Sequence, residues 1–193
     1  MKKKIGFIVF SLSVSFAQGQ ILKSIGIKSG LSISTQIWNI SGLRIKSEYK
    51  TGYSGGLSFD FFQNKYWSLC SDLLYIQKGS KTIFITPAGN EWTVVDGKFN
   101  FISFSPQFKG KFEMKRFFPY LFIGPRIEYC RDEIFSNIIY GFNYGVGIEF
   151  RNNSIGASLD FQHQYDLTSF NNDGGDYTIF NKCFLINAGW SNG

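Results

Sequence analysis

Residues 138–164 have the sequence IIYGFNYGVGIEFRNNSIGASLDFQHQ, and this stretch decides the fold. Apolar and polar residues alternate through 138–150, the alternation stops at the turn formers 151–153, and it resumes at Ile155. Because successive side chains of a strand point to opposite faces, the stretch predicts a β-hairpin with one apolar and one polar face. Each strand has about the length that crosses a bilayer. The polar face is mostly small and glycine-rich, which favours a transmembrane β-barrel over a soluble sheet.

The amino terminus predicts a secretory signal peptide over residues 1–17. Lys2, Lys3 and Lys4 form a basic start, residues 5–16 are apolar and uncharged, and Ala17 closes a small-x-small cleavage site. This order of segments is typical of a cleaved leader, and the apolar run is short for a membrane helix. Residues 18–193 are then predicted to form one domain, the outer-membrane barrel.

Six further segments alternate in the same way as the hairpin. We therefore predict an all-β fold, an eight-stranded antiparallel up-and-down transmembrane barrel, with strands near 24–33, 51–62, 66–77, 98–112, 117–130, 138–150, 155–164 and 178–190. The connections alternate between short (63–65, 113–116, 151–153) and long (34–50, 78–97, 131–137, 165–177). Outer-membrane barrels have short periplasmic turns and longer extracellular loops, so this alternation supports the membrane assignment.

A soluble lipocalin-like calyx is the main structural alternative, because it also has eight strands with one apolar face each. Its outer face would be rich in long charged side chains. In this chain the polar positions are mostly Gly, Ser and Asn with isolated charges, which suits the confined lumen of a small barrel.

The polar face of the strands collects seven charged residues that we predict to meet inside the barrel. Unpaired buried charges are costly, so these side chains are expected to pair as a structural salt-bridge cluster that closes the lumen. A proton or ion path, or an acid–base pair, is the alternative interpretation. The seven residues are Lys28, Asp60, Asp72, Arg126, Glu128, Glu149 and Asp160.

Composition and motifs favour no catalytic, metal or cofactor site. Cys70, Cys130 and Cys183 are widely spaced and without metal-ligand pattern, so we expect free, packed thiols, although a disulfide between two of them remains open. His163 falls on an apolar face near a loop end, with Asp166 and Ser169 nearby in sequence. An interfacial polar residue is the simpler reading of His163, and an interfacial lipid-hydrolysing group is the alternative.

The charge pattern argues against a nucleic-acid partner. The full chain has a formal net charge of +6, three of those charges lie in the predicted leader, and no compact Lys/Arg run remains.

Several short motifs resemble the PorT-like outer-membrane β-barrel family. They are IKSGL at 27–31, GGLSF at 55–59, SDLLYIQKG at 71–79, PYLFIGP at 119–125 and GVGIEF at 145–150. Asp72 stands where Glu is commoner in that family. The resemblance implies an integral outer-membrane barrel without cofactor, and some members are linked to a protein-secretion system.

These observations together predict a non-enzymatic barrel in the cell outer membrane with a structural role or a role in binding through its loops. The expected partners are outer-membrane lipid, the barrel-assembly machinery during biogenesis, and a protein that contacts loops 34–50, 78–97 or 165–177. The alternatives are a small solute or ion pore, a soluble carrier of a lipophilic ligand, and an interfacial lipid enzyme.

Overall fold

The computed structural model describes residues 22–39, 44–85, 91–114, 116–131, 138–152, 155–168 and 178–192. These residues form eight strands: β1 (Leu22–Asn39), β2 (Arg44–Phe61), β3 (Trp67–Ile85), β4 (Glu91–Lys111), β5 (Phe117–Cys130), β6 (Ile138–Asn152), β7 (Ile155–Asp166) and β8 (Thr178–Asn192). The described ranges contain no helix long and apolar enough to span a membrane. The predicted signal peptide, residues 1–17, lies outside the described residues.

The strands close into a single antiparallel barrel in sequence order, which confirms the predicted fold. Closure is made by β1 and β8, whose register runs from Ile25 opposite Asn192 to Asn39 opposite Thr178. A closed barrel leaves no open edge in the lipid, so the backbone N–H and C=O groups can bond to one another.

The outer face is apolar and the lumen is polar, which rules out the soluble calyx. Ile27 is 63% exposed on the outside, whereas its neighbour Lys28 is only 7% exposed inside the barrel. The same alternation runs along β5 and β6. Large apolar side chains that point away from a charged interior need lipid as their surroundings.

The first four strands are longer than the alternation of the sequence predicts. β1 continues to Asn39 and β2 begins at Arg44, so most of the predicted loop 34–50 is strand. The predicted loop 78–97 is likewise strand to Ile85 and again from Glu91. Both predictions were wrong because antiparallel pairing continues where the apolar alternation has ended. The other two long connections lie mostly outside the described residues.

The β4–β5 ladder is interrupted in its middle. Paired residues run from Phe101–Cys130 to Phe104–Ile127 and resume at Phe108–Ile123. In this register Pro106 lies directly opposite Pro125. Neither residue has a backbone N–H to donate, so this pair of positions lacks its ladder hydrogen bonds.

All three cysteines are buried and free, as predicted. Cys130 packs with Phe101 and Ile139 in one apolar cluster inside the barrel, and Cys183 packs with Leu74 in a second. The lumen is therefore less uniformly polar than the sequence predicts, because both faces of β3 carry apolar residues at Leu73–Ile76.

Candidate functional site: the charged lumen

Lys28 lies at the centre of an ion-pair group that crosses the lumen. Its Nζ is 2.9 Å from Asp72 Oδ2 and 2.7 Å from Asp160 Oδ2, and all three side chains are almost completely buried. Lys28 comes from β1, Asp72 from β3 and Asp160 from β7, so the group joins well-separated parts of the wall. We call these three residues the central triad. Tyr120 also donates its hydroxyl hydrogen bond to Asp160.

A second group of charges lies between the central triad and the short-turn end of the barrel. Lys109 Nζ is 3.5 Å from Asp60 Oδ1, and Asp60 Oδ2 accepts a hydrogen bond of 3.0 Å from Ser24. Lys111 Nζ is 3.6 Å from Glu149 Oε2. The longer distances indicate looser pairing here than in the central triad. Small lumen residues, Gly26, Ser158 and Gly189, line a narrow gap together with Asp60, Lys109 and Glu149.

A third group, the upper cluster, lies toward the long-loop end. Lys78 Nζ is 2.6 Å from Glu128 Oε2, and Arg126 forms ion pairs with both Glu128 and Asp166. Asp166 also accepts hydrogen bonds from the backbone N–H and the side-chain amide of Asn181, at 2.9 and 3.1 Å. Lys78 additionally lies over the Phe101 ring. This cluster joins β3, β5, β7 and β8.

Apolar and amide side chains separate the upper cluster from the central triad. Along β3 the inward residues after Asp72 are Leu74 and Ile76, both nearly inaccessible, before Lys78 is reached. On the β6–β7 wall the inward residues are amides. Asn143 and Gln164 are buried and their amide atoms have no hydrogen-bond partner among the described protein atoms. These amides are available to water or to a small polar solute.

The structure places all seven residues of the predicted cluster inside the barrel, but in separate groups. Asp72, Asp160 and Lys28 meet in the central triad, Arg126 and Glu128 meet in the upper cluster, and Asp60 and Glu149 lie nearer the short turns.

Four buried charges that complete these groups were not predicted. Lys109 and Lys111 share the parity of buried Gln107, and Lys78 shares that of Asp72, so the alternation itself could have identified them. Lys78 and Asp166 were missed because both were assigned to loops, whereas β3 and β7 include them.

The structure contradicts the grouping of His163 with Asp166. His163 faces outward between the rings of Tyr144 and Phe184, whose centroids lie 5.1 and 4.6 Å from its own. Asp166 is three residues further along β7 and therefore faces the lumen, where Arg126 binds it. Ser169 lies outside the described residues. Among the described residues, no three His, Cys, Asp or Glu side chains are placed to hold a metal ion.

One exposed ion pair joins two short turns. Lys65 Nζ is 2.7 Å from Glu113 Oε2, which links the β2–β3 turn to the β4–β5 turn. The hydrogen bond to Glu113, together with the charge of that carboxylate, raises the pKa of Lys65 above its ordinary value.

Comparisons with known proteins support the fold and leave the family open. No family model matches the chain, and no curated protein has a significantly similar sequence. Among solved structures, the chain is similar to Neisserial surface protein A (TM-score 0.55, 11% identity), with 88% of this chain and 98% of that one covered. It is also similar to the outer membrane protein OprG from Pseudomonas aeruginosa (TM-score 0.55, 11% identity), with 90% and 98% covered. With its apolar outer face and charged lumen, the chain is an eight-stranded outer-membrane β-barrel.

Proposed function

We propose that this protein is a closed, non-enzymatic barrel that carries a β-sheet platform on the outside of the cell for binding a protein partner. The observation that carries the proposal is the difference in strand length. β1 to β4 have 18, 18, 19 and 21 residues, whereas β5 to β8 have 14, 15, 12 and 15. A tilted strand needs about ten residues to cross the lipid. The extra residues lie at the long-loop end, which is extracellular in such barrels.

The closed lumen supports a scaffold rather than a passage. Ions that enter from the short-turn end pass the more loosely paired charges of Asp60 and Glu149 and then meet the central triad. Within the triad, Lys28 holds two carboxylates from distant strands. Beyond it lies the upper cluster, in which Glu128 is bound by both Lys78 and Arg126. A small barrel is normally filled by its own side chains, and here the filling is charged and paired.

The more specific part of this proposal is that the chain belongs to the PorT-like outer-membrane β-barrel family. It is supported by the order of the five motifs along the chain, of which SDLLYIQKG at 71–79 is the longest. A role accessory to protein secretion would follow from that membership. The partners in the proposal are lipid around the apolar belt, the barrel-assembly machinery during biogenesis, and a protein at the extracellular platform.

A small solute or ion pore is the second candidate, and one observation favours it. Asn143 and Gln164 provide buried amide atoms without protein partners between the central triad and the upper cluster. Such amides can hold water, as the wall of an aqueous path would. The pore requires the central triad to part.

Conductance in a planar bilayer separates the two candidates. We expect the wild-type protein to give no single-channel steps. A variant in which alanine replaces the charged residues of both the central triad and the upper cluster (Lys28, Asp72, Asp160, Lys78, Arg126, Glu128 and Asp166) should give them. A variant that removes only the exposed pair, Lys65→Ala with Glu113→Ala, serves as the control and should remain silent. Steps from the wild-type protein would reject the closed scaffold and support the pore.

Labelling of intact cells tests the extracellular platform. In a chain with its three native cysteines replaced by serine, Lys98→Cys on β4 should react with a membrane-impermeant maleimide on intact cells. Arg116→Cys, beside a short turn, should react only after the outer membrane is permeabilised. The opposite pattern would place the long strands in the periplasm and reject the platform.

A further inference from the structure

Among the described residues, one strand of the proposed platform has no neighbouring strand along part of one edge. β4 begins at Glu91, but its pairing with β5 begins only at Phe101 opposite Cys130, followed by one hydrogen bond of 2.9 Å from Arg131 N–H to Asn100 C=O. On its other side, β4 pairs with β3 to Glu91 opposite Ile85, with one register shift between Thr82 and Ile83. Within the described residues, no strand lies beyond residues 91–99 on the β5 side.

The opposite side of the platform has no such edge. β1 extends as far as β4 does, yet β8 accompanies it to Asn39 opposite Thr178. Within the described part of the chain, the stretch of β4 that extends beyond the β5 ladder is therefore a local feature of one strand. At about 3.3 Å per residue it is roughly 30 Å long.

The backbone groups that point to the open side can be identified from the ladder. β4 uses even-numbered residues to bond with β5, as in the 2.8 Å hydrogen bond from Phe112 N–H to Pro119 C=O and the bond to Asn100 C=O. It uses odd-numbered residues to bond on the other side, as in the 2.7 Å bond from Lys111 N–H to Tyr66 C=O. Asp96 and Lys98 therefore direct their backbone N–H and C=O groups to the open side.

The side chains near this edge indicate what would bind there. Lys98 is exposed, and it has no ion pair among the described residues. Asp96, by contrast, already pairs with Lys50. Phe99 points to the opposite face, where it packs against the apolar cluster of Phe101. A complementary strand would place an acidic residue beside Lys98 and apolar residues on either side of it, to cover Phe99.

A second copy of this chain does not fit the edge. Two copies in one membrane are related by an axis along the membrane normal, so their β4 strands would run side by side in the same direction. In register, Lys98 would face Lys98 and Asp96 would face Asp96. Like charges directly opposite each other destabilise a strand pair.

We propose that residues 91–99 of β4 bind an extended segment of another protein as an added antiparallel strand, with an acidic residue of that segment beside Lys98. Main-chain hydrogen bonds to Asp96 and Lys98 provide the attachment, and the apolar–acidic–apolar pattern provides selectivity. The inference rests on the proposed extracellular platform and names the kind of partner that the platform receives.

Amide hydrogen exchange, followed by NMR on the full chain in detergent micelles, tests the proposal. The probe is the capped peptide Thr-Thr-Val-Glu-Val-Thr-Thr. We expect the amides of Asp96 and Lys98 to exchange rapidly in the free protein and at least about tenfold more slowly with saturating peptide.

Two variants distinguish the contribution of the backbone hydrogen bonds to peptide binding from that of the Lys98 side chain. Lys98→Pro removes the edge N–H without affecting the β3 ladder and should weaken binding at least tenfold. Lys98→Glu should prefer the peptide in which Lys replaces Glu.

Three results would overturn the proposal. Slow exchange of both amides without peptide would mean that the chain covers its own edge. Equal binding to the wild-type protein and Lys98→Pro, once heat-modified gel migration shows that the variant is folded, would place the peptide elsewhere. A dimer that Lys98→Pro dissociates would assign the edge to a second copy. If Lys98→Cys is labelled on intact cells while the peptide does not bind, the platform stands and only this inference fails.

Discussion

At the scale of single residues, neighbouring positions on one strand lie in two different environments, the lipid and the charged interior of the barrel. Ile27 contacts lipid and Lys28, the next residue, is held by two carboxylates inside the barrel. The effect of a substitution on stability therefore depends first on which face of the strand the residue occupies, and only then on the chemistry of the new side chain. An arginine is costly on one face, and the loss of a lysine is costly on the other.

Val146 tests the outward face. It is 50% exposed in the middle of β6, beside Leu121 and Phe161 on the adjacent strands. We expect Val146→Arg to lower the free energy of unfolding by about 2–4 kcal/mol, the cost of a lipid-facing arginine near the bilayer midplane. Urea unfolding in lipid measures it. Val146→Leu is the matched control and should unfold as the wild type does; equal stability of the two variants would contradict the assigned face.

Lys28 tests the inward face. Lys28→Met would leave Asp72 and Asp160 buried without their shared cation, and removal of one partner of a buried pair costs about 3–5 kcal/mol. Lys50→Met removes a more exposed pair with Asp96 and should cost at most about 1 kcal/mol. Equilibrium unfolding of both variants in the same lipid makes the comparison. Similar losses would show that the central triad contributes little.

At the scale of strands, the close approach of β2 and β3 depends on a residue without a side chain. A Cβ atom added to Gly56 would overlap the carbonyl oxygen of Leu73, which is backbone and cannot move aside. We expect Gly56→Ala to destabilise the barrel by about 1–3 kcal/mol, as overpacking does. Gly110→Ala is the control, because no atom lies within 4 Å of its added Cβ. Unfolding midpoints that rank the two variants in the reverse order would refute this account.

The turns that carry Lys65 and Glu113 should show a dependence on alkaline pH. A lysine whose pKa is raised in the folded state contributes stability below its unfolded pKa and loses it as the pH rises through the folded pKa. We therefore expect wild-type stability to fall through that alkaline range by a step that Glu113→Gln lacks. Urea midpoints measured from pH 8 to 12 for both proteins would show it, and parallel curves would exclude a contribution from this pair.

Strand number could be predicted from the sequence, but the ends of the first four strands could not. Within the lipid, alternation is enforced because one face must be apolar and the other polar. Beyond Ile33, the three successive residues Ser34, Thr35 and Gln36 are all buried, so polar inward positions no longer alternate with exposed apolar ones. The signal disappears there, although the hydrogen-bonded ladder continues to Asn39.

The charged lumen could be predicted only in part from the sequence, and the reason is again that the alternation of residues carries limited information. Parity alone identifies which charges point inward, as with Asp72 and Arg126, but it does not say which charges meet. The partners of Lys28 lie 44 residues away on β3 and 132 residues away on β7, and only the register of the closed barrel brings them together. Asp166 required the correct end of β7 as well.

At the scale of the whole molecule, closure predicts a simple behaviour in detergent. A folded membrane barrel resists SDS at room temperature and unfolds on boiling. We expect the protein to fractionate with the outer membrane and to change its gel migration when boiled. A soluble periplasmic species without a heat-dependent shift would contradict the lipid-facing exterior.

The facing prolines of β4 and β5 have a mechanical consequence. The bilayer exerts lateral pressure on the whole circumference of the barrel, and adjacent strands transmit that load through their hydrogen bonds. Between Phe104 and Phe108 the β4–β5 contact has no such bonds at Pro106 and Pro125. The cross-section of the barrel should therefore deform most readily at this position, with the stiffer central triad holding β1, β3 and β7 at a fixed distance. Compression or thickening of the surrounding lipid would then change the separation of β4 and β5. Residues 91–99, the proposed binding edge, lie on this same side of the molecule.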